Sequence, residues 1–260
     1  MSGTETELEN PACSGYAFEV FSGIQGEGLL VGERQIFIRL TGCNLKCAFC
    51  DTPSAREHVD SCRIEQTAGS RDFLSVPNPI SASDLADYAA QLEEFPGLHH
   101  SVSLTGGEPL AQQEFAASVT RHLKSRGFRV LLETNGSLPE AFETVLPCVD
   151  MVSMDIKLSG STFGENLLEI HREFLKKAVN GEICVKLVIT SSIETEELLD
   201  AVKMVHTTSP NTPIILQPAT QTGCIFPPTP DQVLEWQTKS KRIHSDVRVI
   251  PQCHKFMGQL

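Results

Sequence analysis

The chain has 260 residues, 40% of them hydrophobic, and its formal net charge at pH 7 is −12. A chain of this length suits one domain or two small ones and is long enough to bury a sizeable core. Because such an acidic surface does not attract phosphate backbones, the charge argues against direct binding to nucleic acid and favours a small-molecule substrate. Solubility alone would also explain the charge.

No run of about 18 apolar residues is present, so no membrane span is expected. The first 13 residues are polar and acidic, and they lack the basic segment followed by an apolar one that marks a signal peptide. Nine cysteines in such a chain indicate a reducing compartment, with the cytoplasm as the expected location. We therefore expect thiols that hold a metal or a cluster rather than disulfides.

The first predicted strand precedes a glycine-rich loop. Residues 1–14 show no hydrophobic period and are expected to be a disordered tail, ahead of a single domain over 15–260. Residues 16–21 predict a short strand. Three glycines then fall in the six residues 23–28. This pattern suits either a plain turn or a loop whose backbone approaches a ligand closely.

Three cysteines follow a second, apolar strand that is predicted over residues 35–40. Cys43, Cys47 and Cys50 have the spacing C-x₃-C-x₂-C at the carboxyl end of that strand, where parallel α/β folds place their chemistry. Three thiolates can hold a [4Fe–4S] cluster with one iron left open, or a zinc ion completed by a distant His or Cys, or they can be unliganded. The hydroxyl of Thr52 could be one ligand of Mg²⁺ or could cap a turn.

Strands and helices alternate along the rest of the chain. Residues 53–80 show no clear period and are interpreted as an insertion or lid. Strands are predicted over 101–104, 128–132, 149–154, 183–189, 213–216 and 247–250, and helices over 81–95, 110–125, 165–178, 194–205 and 230–243. This alternation predicts a parallel sheet with right-handed crossovers, and we expect all the polar motifs at the same ends of its strands.

Two charged residues interrupt apolar strands. Arg39 lies in the strand before the cysteines. If it is buried it needs a partner, and the simplest expectation is a structural salt bridge. Lys186 lies within the strand predicted over 183–189 and is expected to be paired or to extend toward solvent, with contact to a cofactor as the less favoured alternative.

Five motifs together resemble those of the 7-carboxy-7-deazaguanine synthase family in the radical S-adenosylmethionine (SAM) superfamily. They are Gln25-Gly26-Glu27-Gly28, the three-cysteine motif, Cys50-Asp51-Thr52, Thr105-Gly106-Gly107-Glu108-Pro109 and Glu133-Thr134-Asn135-Gly136. The similarity extends from about residue 16 to residue 260. The resemblance implies an α/β fold, a partial (βα)₆ TIM-like barrel of the radical SAM type.

The resemblance also implies roles for individual residues. Cys43, Cys47 and Cys50 would hold a [4Fe–4S] cluster, and Thr52 would bind Mg²⁺. The SAM contacts would be Gly106, Gly107, Glu108, Thr134, Asn135, Ser153, Asp155 and Lys157. The substrate contacts would be Ile24, Gln25, Gly26, Glu27, Arg39, Thr105, Gln217, His254 and Leu260, with Arg39 on the substrate carboxylate.

The activity that the resemblance implies is a radical SAM carbon–nitrogen lyase. It would convert 6-carboxy-5,6,7,8-tetrahydropterin to 7-carboxy-7-deazaguanine with loss of ammonia, on the route to queuosine and related deazapurines that modify tRNA. The expected partners are the pterin substrate, an electron donor such as flavodoxin or ferredoxin, and a second copy of the chain in a homodimer. Neither a nucleic acid nor a membrane is expected as a partner.

One motif departs from the family pattern. The chain has Asp155-Ile156-Lys157 near the position where the family usually has Ser-Pro-Lys. An Asp-x-Lys motif is typical of enzymes that activate glycyl-radical enzymes, which act on a protein. That activity is the first alternative, and a non-catalytic zinc-binding module is the second. Turnover of a pterin without a protein partner would exclude the first, and iron and sulfide in the purified protein would exclude the second.

Overall fold

The computed structural model describes residues 13–161, 166–178 and 181–259. The strands are β1 (Ser14–Gly15), β2 (Ala17–Ile24), β3 (Arg34–Leu40), β4 (Ser61–Glu65), β5 (Phe73–Pro77), β6 (Ile80–Ser81), β7 (Ser101–Gly106), β8 (Val130–Thr134), β9 (Met151–Ile156), β10 (Glu182–Ile189), β11 (Ile214–Pro218) and β12 (Val247–Val249). The α-helices are α1 (Ala82–Gln91), α2 (Gln113–Ser125), α3 (Pro139–Val145), α4 (Leu168–Ala178), α5 (Thr195–Thr208), α6 (Pro230–Lys241) and α7 (Cys253–Met257). Within the described ranges, no helix is both long enough and apolar enough to cross a bilayer.

One ten-stranded sheet organises the fold, in the order β12-β11-β10-β9-β8-β7-β3-β2-β4-β5. The strands from β3 to β12 in this order pair in parallel. The helices α1 to α6 connect successive parallel strands, as the alternation in the sequence predicts. Because the strand order is linear, the sheet is an open, partial barrel and not a closed one. The predicted fold class is confirmed.

The period of β3 decides which side chains face the helices and which face the barrel interior. Ile36, Ile38 and Leu40 are fully buried in the hydrophobic core. Phe37 and Arg39 alternate with them and line the interior cavity instead. Side chains on a strand alternate between its two faces, so one short sequence supplies both the core and the site.

Two helices, α1 and α6, begin at side-chain caps. Ser81 caps α1, because its side chain accepts a hydrogen bond from the backbone N–H of Asp84 at 3.1 Å. Thr229 and Gln232 form a capping box at the start of α6. Such caps satisfy backbone N–H groups that have no partner in the first turn, and each contributes about 1 kcal/mol. Trp236 on α6 belongs to the core, since 3% of its surface is exposed.

Four parts of the chain differ from the expectation. Of the predicted disordered tail, residues 1–12 lie outside the described residues, but Ser14 belongs to β1, which pairs with β6. Residues 53–80 include the hairpin β4–β5, which extends the sheet beyond β2. The helix predicted over 110–125 is divided into a 3₁₀ turn, Pro109–Gln112, and α2. The helix α3 was not predicted.

Candidate active site

A cavity of about 580 Å³ lies inside the partial barrel. All the described residues predicted as ligands or contacts line it, with the exception of Glu108. They are Ile24, Gln25, Gly26, Glu27, Arg39, Cys43, Cys47, Cys50, Thr52, Thr105, Gly106, Gly107, Thr134, Asn135, Ser153, Asp155, Lys157, Gln217 and His254. Leu260, the remaining predicted contact, lies outside the described residues.

The glycine-rich loop reaches this cavity from the opposite end of the sheet, which corrects the expectation that all motifs share one end. Strand β2 is antiparallel to β3, and Ile24 pairs with Arg34 at the start of β3. The loop after Ile24 therefore begins at the amino ends of the parallel strands. It enters the barrel interior, where a Cβ on Gly28 would lie 3.7 Å from the Ser153 hydroxyl and 3.8 Å from the Cys184 sulfur.

The three cysteines line the cavity, and each is half-buried. In a tetrahedral zinc site with Zn–S bonds of about 2.3 Å, the sulfurs lie about 3.8 Å apart. In the described ranges, the group whose metal-binding atoms all lie within 4.8 Å of one another is Glu27, Asp51 and His254, without the cysteines. The three thiols do not form so compact a group, and as a set of cysteine donors they fit an iron–sulfur cluster.

Backbone contacts hold the cysteine loop. The Cys43 N–H donates to the Arg56 carbonyl at 3.2 Å, and an Arg56 guanidinium N–H donates to the Cys47 carbonyl at 2.6 Å. Burial raises the pKa of the Cys43 and Cys47 thiols. A bound metal reverses this effect, because a coordinating thiol is deprotonated. These contacts fix the shape of the loop, whereas thiolate formation depends on the metal.

Gly106 and Gly107 allow the loop after β7 to pack on the cysteine loop. A Cβ on Gly106 would lie 2.2 Å from the Leu40 carbonyl oxygen, and one on Gly107 would lie 2.3 Å from the Gly42 carbonyl oxygen. Both distances are far below a van der Waals contact, and the clashing atoms are backbone. The two glycines are thus required by loop packing, independently of any contact with SAM.

Glu108 is a predicted SAM contact that does not line the cavity. Its side chain is fully buried and accepts hydrogen bonds from the N–H of Leu110 at 3.0 Å, the Thr134 hydroxyl at 2.8 Å and the N–H of Asn135 at 2.7 Å. Burial raises its pKa to about 7, against the effect of these three donors. Glu108 therefore positions the two predicted SAM residues Thr134 and Asn135.

Polar contacts also join the loop after β8 to the cysteine loop. The Asn135 side-chain amide donates to Asn44 Oδ1 at 3.0 Å, and the Asn44 amide donates to the Ser137 hydroxyl at 2.8 Å. Behind this loop, His171 Nε2 lies 3.1 Å from the Asn135 carbonyl oxygen. His171 is fully buried, and this burial lowers its pKa to about 4, so its ring is neutral at pH 7.

Charged residues from β9, β10 and the glycine-rich loop form a chain of alternating sign. Lys157 Nζ lies 2.8 Å from Asp155 Oδ2, and Lys186 Nζ lies 3.2 Å from Asp155 Oδ1 and 2.6 Å from Glu27 Oε2. Burial opposes ionisation of Glu27, but the Lys186 ammonium outweighs it and lowers the pKa of Glu27 to about 2. The prediction that Lys186 is paired is thus confirmed.

The chain's last described helix closes the site over the same loop. The Cys253 N–H donates to the Gly26 carbonyl at 2.9 Å, and the Gln252 amide donates to Glu27 Oε1 at 2.8 Å. A Cβ on Gly26 would lie 2.3 Å from His254 Nδ1, so only glycine fits at residue 26. Burial lowers the pKa of His254, which favours its neutral form.

Comparison with known proteins places this site in a family. The profile of the radical SAM superfamily matches residues 37–206. The 7-carboxy-7-deazaguanine synthase of Geobacter sulfurreducens is 40% identical over 243 residues, which cover 93% of this chain and 96% of that protein. The synthase of Methanopyrus kandleri is 36% identical and covers 92% of each.

The chain belongs to the 7-carboxy-7-deazaguanine synthase family. Its fold agrees with this assignment: the crystal structure of QueE from Escherichia coli matches with a TM-score of 0.60 over 92% of this chain and 94% of that one, at 22% identity. Membership of the radical SAM superfamily implies a [4Fe–4S] cluster and SAM as cofactors. The protein is therefore an enzyme, and the glycyl-radical and zinc alternatives are not favoured.

Two predicted substrate residues of this synthase family member, Arg39 and Gln217, line the cavity. Arg39 does form the salt bridge expected of a buried arginine, with Nε at 3.0 Å from Glu19 Oε1, yet it still lines the cavity. The Glu19 contact uses Nε, which leaves the terminal guanidinium nitrogens for another partner. Gln217 is buried, and its Oε1 has no hydrogen-bond partner among the described residues.

Several residues of the synthase site were not predicted. Glu133 lies within a recognised motif, and its Oε1 accepts hydrogen bonds from the Gln25 amide at 3.1 Å and the Ser103 hydroxyl at 2.6 Å. Gln252 and Arg56 line the cavity but lie in parts of the sequence without a strong pattern. Glu133 and Gln252 could have been predicted from their positions in the sequence, because Glu133 adjoins Thr134 and Gln252 lies two residues before His254.

Proposed function

We propose that the protein converts 6-carboxy-5,6,7,8-tetrahydropterin to 7-carboxy-7-deazaguanine and ammonia. The reaction balances without an external oxidant or reductant, since the pterin's atoms are all found in the deazaguanine and one NH₃. The observation that carries the proposal is the meeting of the three cysteines and Arg39 in one cavity, in a chain similar along nearly its full length to proteins named for this reaction.

The residues present fit the two cofactors. Cys43, Cys47 and Cys50 would hold the cluster, and the loops after β7, β8 and β9 would hold SAM beside it. When bound, the cluster and SAM together supply a carbon-centred radical that removes a hydrogen atom from the substrate. The protein's part is to hold the reacting atoms together and to exclude water.

Arg39 is proposed to bind the substrate carboxylate. Glu19 holds its Nε, so the planar guanidinium is fixed while its terminal N–H groups can donate to a carboxylate. Gln217 lines the same cavity, and we assign its side-chain amide to the pterin ring. The remaining predicted contacts, Ile24 to Glu27, Thr105 and His254, surround the same space.

Mg²⁺ is proposed to bind at the end of the cysteine loop. Thr52 lines the cavity next to Asp51, with Oγ1 at 3.4 Å from Asp51 Oδ1. Asp51 in turn lies in the group with Glu27 and His254 that is compact enough for a metal ion. Both Glu27 oxygens are engaged by Lys186 and Gln252, so we assign the ion to Thr52 and Asp51, with water and substrate oxygens as its other ligands.

The reductant and the assembly complete the proposal. The cluster chemistry requires a one-electron donor, and a flavodoxin or ferredoxin in the cytoplasm would serve. We also propose a homodimer and a place in the biosynthesis of queuosine and related deazapurines.

Anaerobic turnover tests the proposal. The purified protein, reconstituted with iron and sulfide, is incubated with the carboxylated tetrahydropterin, SAM and dithionite, and the products are identified by mass spectrometry. We expect 7-carboxy-7-deazaguanine with no protein partner added, and no product from Cys47→Ala. A wild-type protein that holds about four irons and four sulfides but leaves the pterin unchanged would refute the proposed activity.

A further inference from the structure

Lys186 is a buried cation in the middle of the site to which the radical chemistry assigns no role. It lies on β10 among apolar residues, 3% of its surface is exposed, and it lines the cavity. Its Nζ contacts two carboxylates, Glu27 on the predicted substrate side and Asp155 on the predicted SAM side. Removing one member of such a buried ion pair can cost more than the pair itself contributes, because the partner's charge is left uncompensated.

The two carboxylates depend on Lys186 unequally. Asp155 has a second cation, because Lys157 Nζ lies 2.8 Å from its Oδ2, closer than Lys186 Nζ at 3.2 Å from its Oδ1. Glu27 has Lys186 at 2.6 Å, and its other oxygen accepts a hydrogen bond from the neutral amide of Gln252. Loss of Lys186 therefore leaves Asp155 still paired but leaves the half-buried Glu27 without a cation in hydrogen-bond contact.

We propose that Lys186 is a positioning residue that acts on the substrate through Glu27, and that it does not act on SAM through Asp155. Lys186 and Gln252 each hold one oxygen of the Glu27 carboxylate. The lone pairs that remain can accept from neighbouring N–H groups, so the fixed carboxylate selects a heterocycle with adjacent N–H donors over one that presents acceptors there. This proposal rests on the proposed function, in which such an aminopyrimidinone ring is part of the substrate.

The test compares Lys186→Met, Glu27→Gln and the double variant with the wild type. Methionine keeps much of the lysine's length and removes its charge. We expect Lys186→Met to raise the KM for the carboxylated tetrahydropterin about 30-fold or more, since one partner of a buried charge pair is lost. We expect kcat and the dissociation constant for SAM to change by less than about threefold. Lys186→Arg should recover part of the KM change.

The double variant shows whether Lys186 acts through Glu27. If it does, the two effects are not additive, and the KM of Glu27→Gln/Lys186→Met equals that of Glu27→Gln alone. Effects that multiply would overturn the proposal, as would a larger loss of SAM affinity than of pterin affinity in Lys186→Met. Lys203→Met serves as the matched control, because Lys203 pairs with Asp200 on the exposed face of α5.

Two measurements keep the outcome decisive. Circular dichroism melting shows whether Lys186→Met folds. If it does not, the KM of the double variant is compared with that of Glu27→Gln, since residue 27 carries no charge in either. Equal KM values then support the proposal, and unequal values overturn it. Equilibrium binding of 6-carboxypterin, followed by its fluorescence, repeats the comparison without turnover. A wild type that binds this pterin but is inactive would thus count against the proposed reaction. An active wild type, together with a Lys186→Met variant whose KM and pterin binding are unchanged, would count against the proposed role of Lys186.

Discussion

Replacement of Glu108 by alanine tests whether this residue contacts SAM or supports the residues that do. In the structure, Glu108 is fully buried and accepts hydrogen bonds from Leu110, Thr134 and Asn135. Alanine would leave three buried donors without an acceptor. Each unsatisfied group costs about 1–3 kcal/mol, part of which local rearrangement recovers, so we expect a loss of about 3–5 kcal/mol in the free energy of unfolding.

The assay is thermal unfolding of the protein without SAM. For a chain of this size, each kcal/mol shifts Tm by about 2–4 °C, so Glu108→Ala should melt roughly 10 °C below the wild type. Glu108→Gln is the matched control: it keeps one acceptor but presents its amide to the Asn135 N–H, for an expected loss of about 1–2 kcal/mol. A Glu108→Ala variant that melts within about 2 °C of the wild type, yet no longer binds SAM, would show that the side chain contacts the cofactor.

Three further predictions concern loop packing, pH and Mg²⁺. Gly107→Ala should lower the iron bound per chain after reconstitution, because its Cβ would overlap the Gly42 carbonyl, whereas Gly181→Ala, with its nearest contact at 3.7 Å, should load iron normally. His171 should contribute a loss of up to about 3 kcal/mol of stability between pH 6.5 and pH 4, since the unfolded state binds a proton on His171 that the folded state excludes, whereas the raised pKa of Glu108 acts in the opposite direction. In urea titrations, His171→Gln should therefore lose about that much less stability than the wild type over this pH range. Asp51→Asn should raise the Mg²⁺ concentration needed for half-maximal turnover by about tenfold without changing SAM affinity; an unchanged Mg²⁺ requirement would exclude Asp51 as a ligand.

The sequence predicts the parallel strands and the side chains at their carboxyl ends because these patterns are local. The strand β3 shows this well: its alternating side chains and the cysteines after it are continuous in sequence, so both core and cluster loop could be predicted together. Glu108 lies in an equally clear motif, but a motif does not show which way a side chain turns. Its direction depends on donors from Thr134 and Asn135, residues on another loop.

Other parts of the fold depend on contacts between distant segments. In the hairpin β4–β5, Cys62 and Ile64 are buried on either side of exposed Arg63, an alternation too short to distinguish a strand from a loop. The position of the glycine-rich loop inside the barrel follows from the antiparallel pairing of β2 with β3, which no residue in the loop itself indicates. Lys186 could be predicted to have a partner, but not that its partner would be Glu27.

The glycine-rich loop enters the barrel from the amino ends of the strands, and its residues Ile24 to Glu27 form one wall of the cavity. A loop in this position can be lengthened, shortened or raised without altering the register of any strand in the sheet. Size selection among related enzymes can therefore change by insertion or deletion near Gly28, while the chemistry anchored to the opposite rim stays the same. An engineer who wants a bulkier bicyclic compound accepted should begin with this loop.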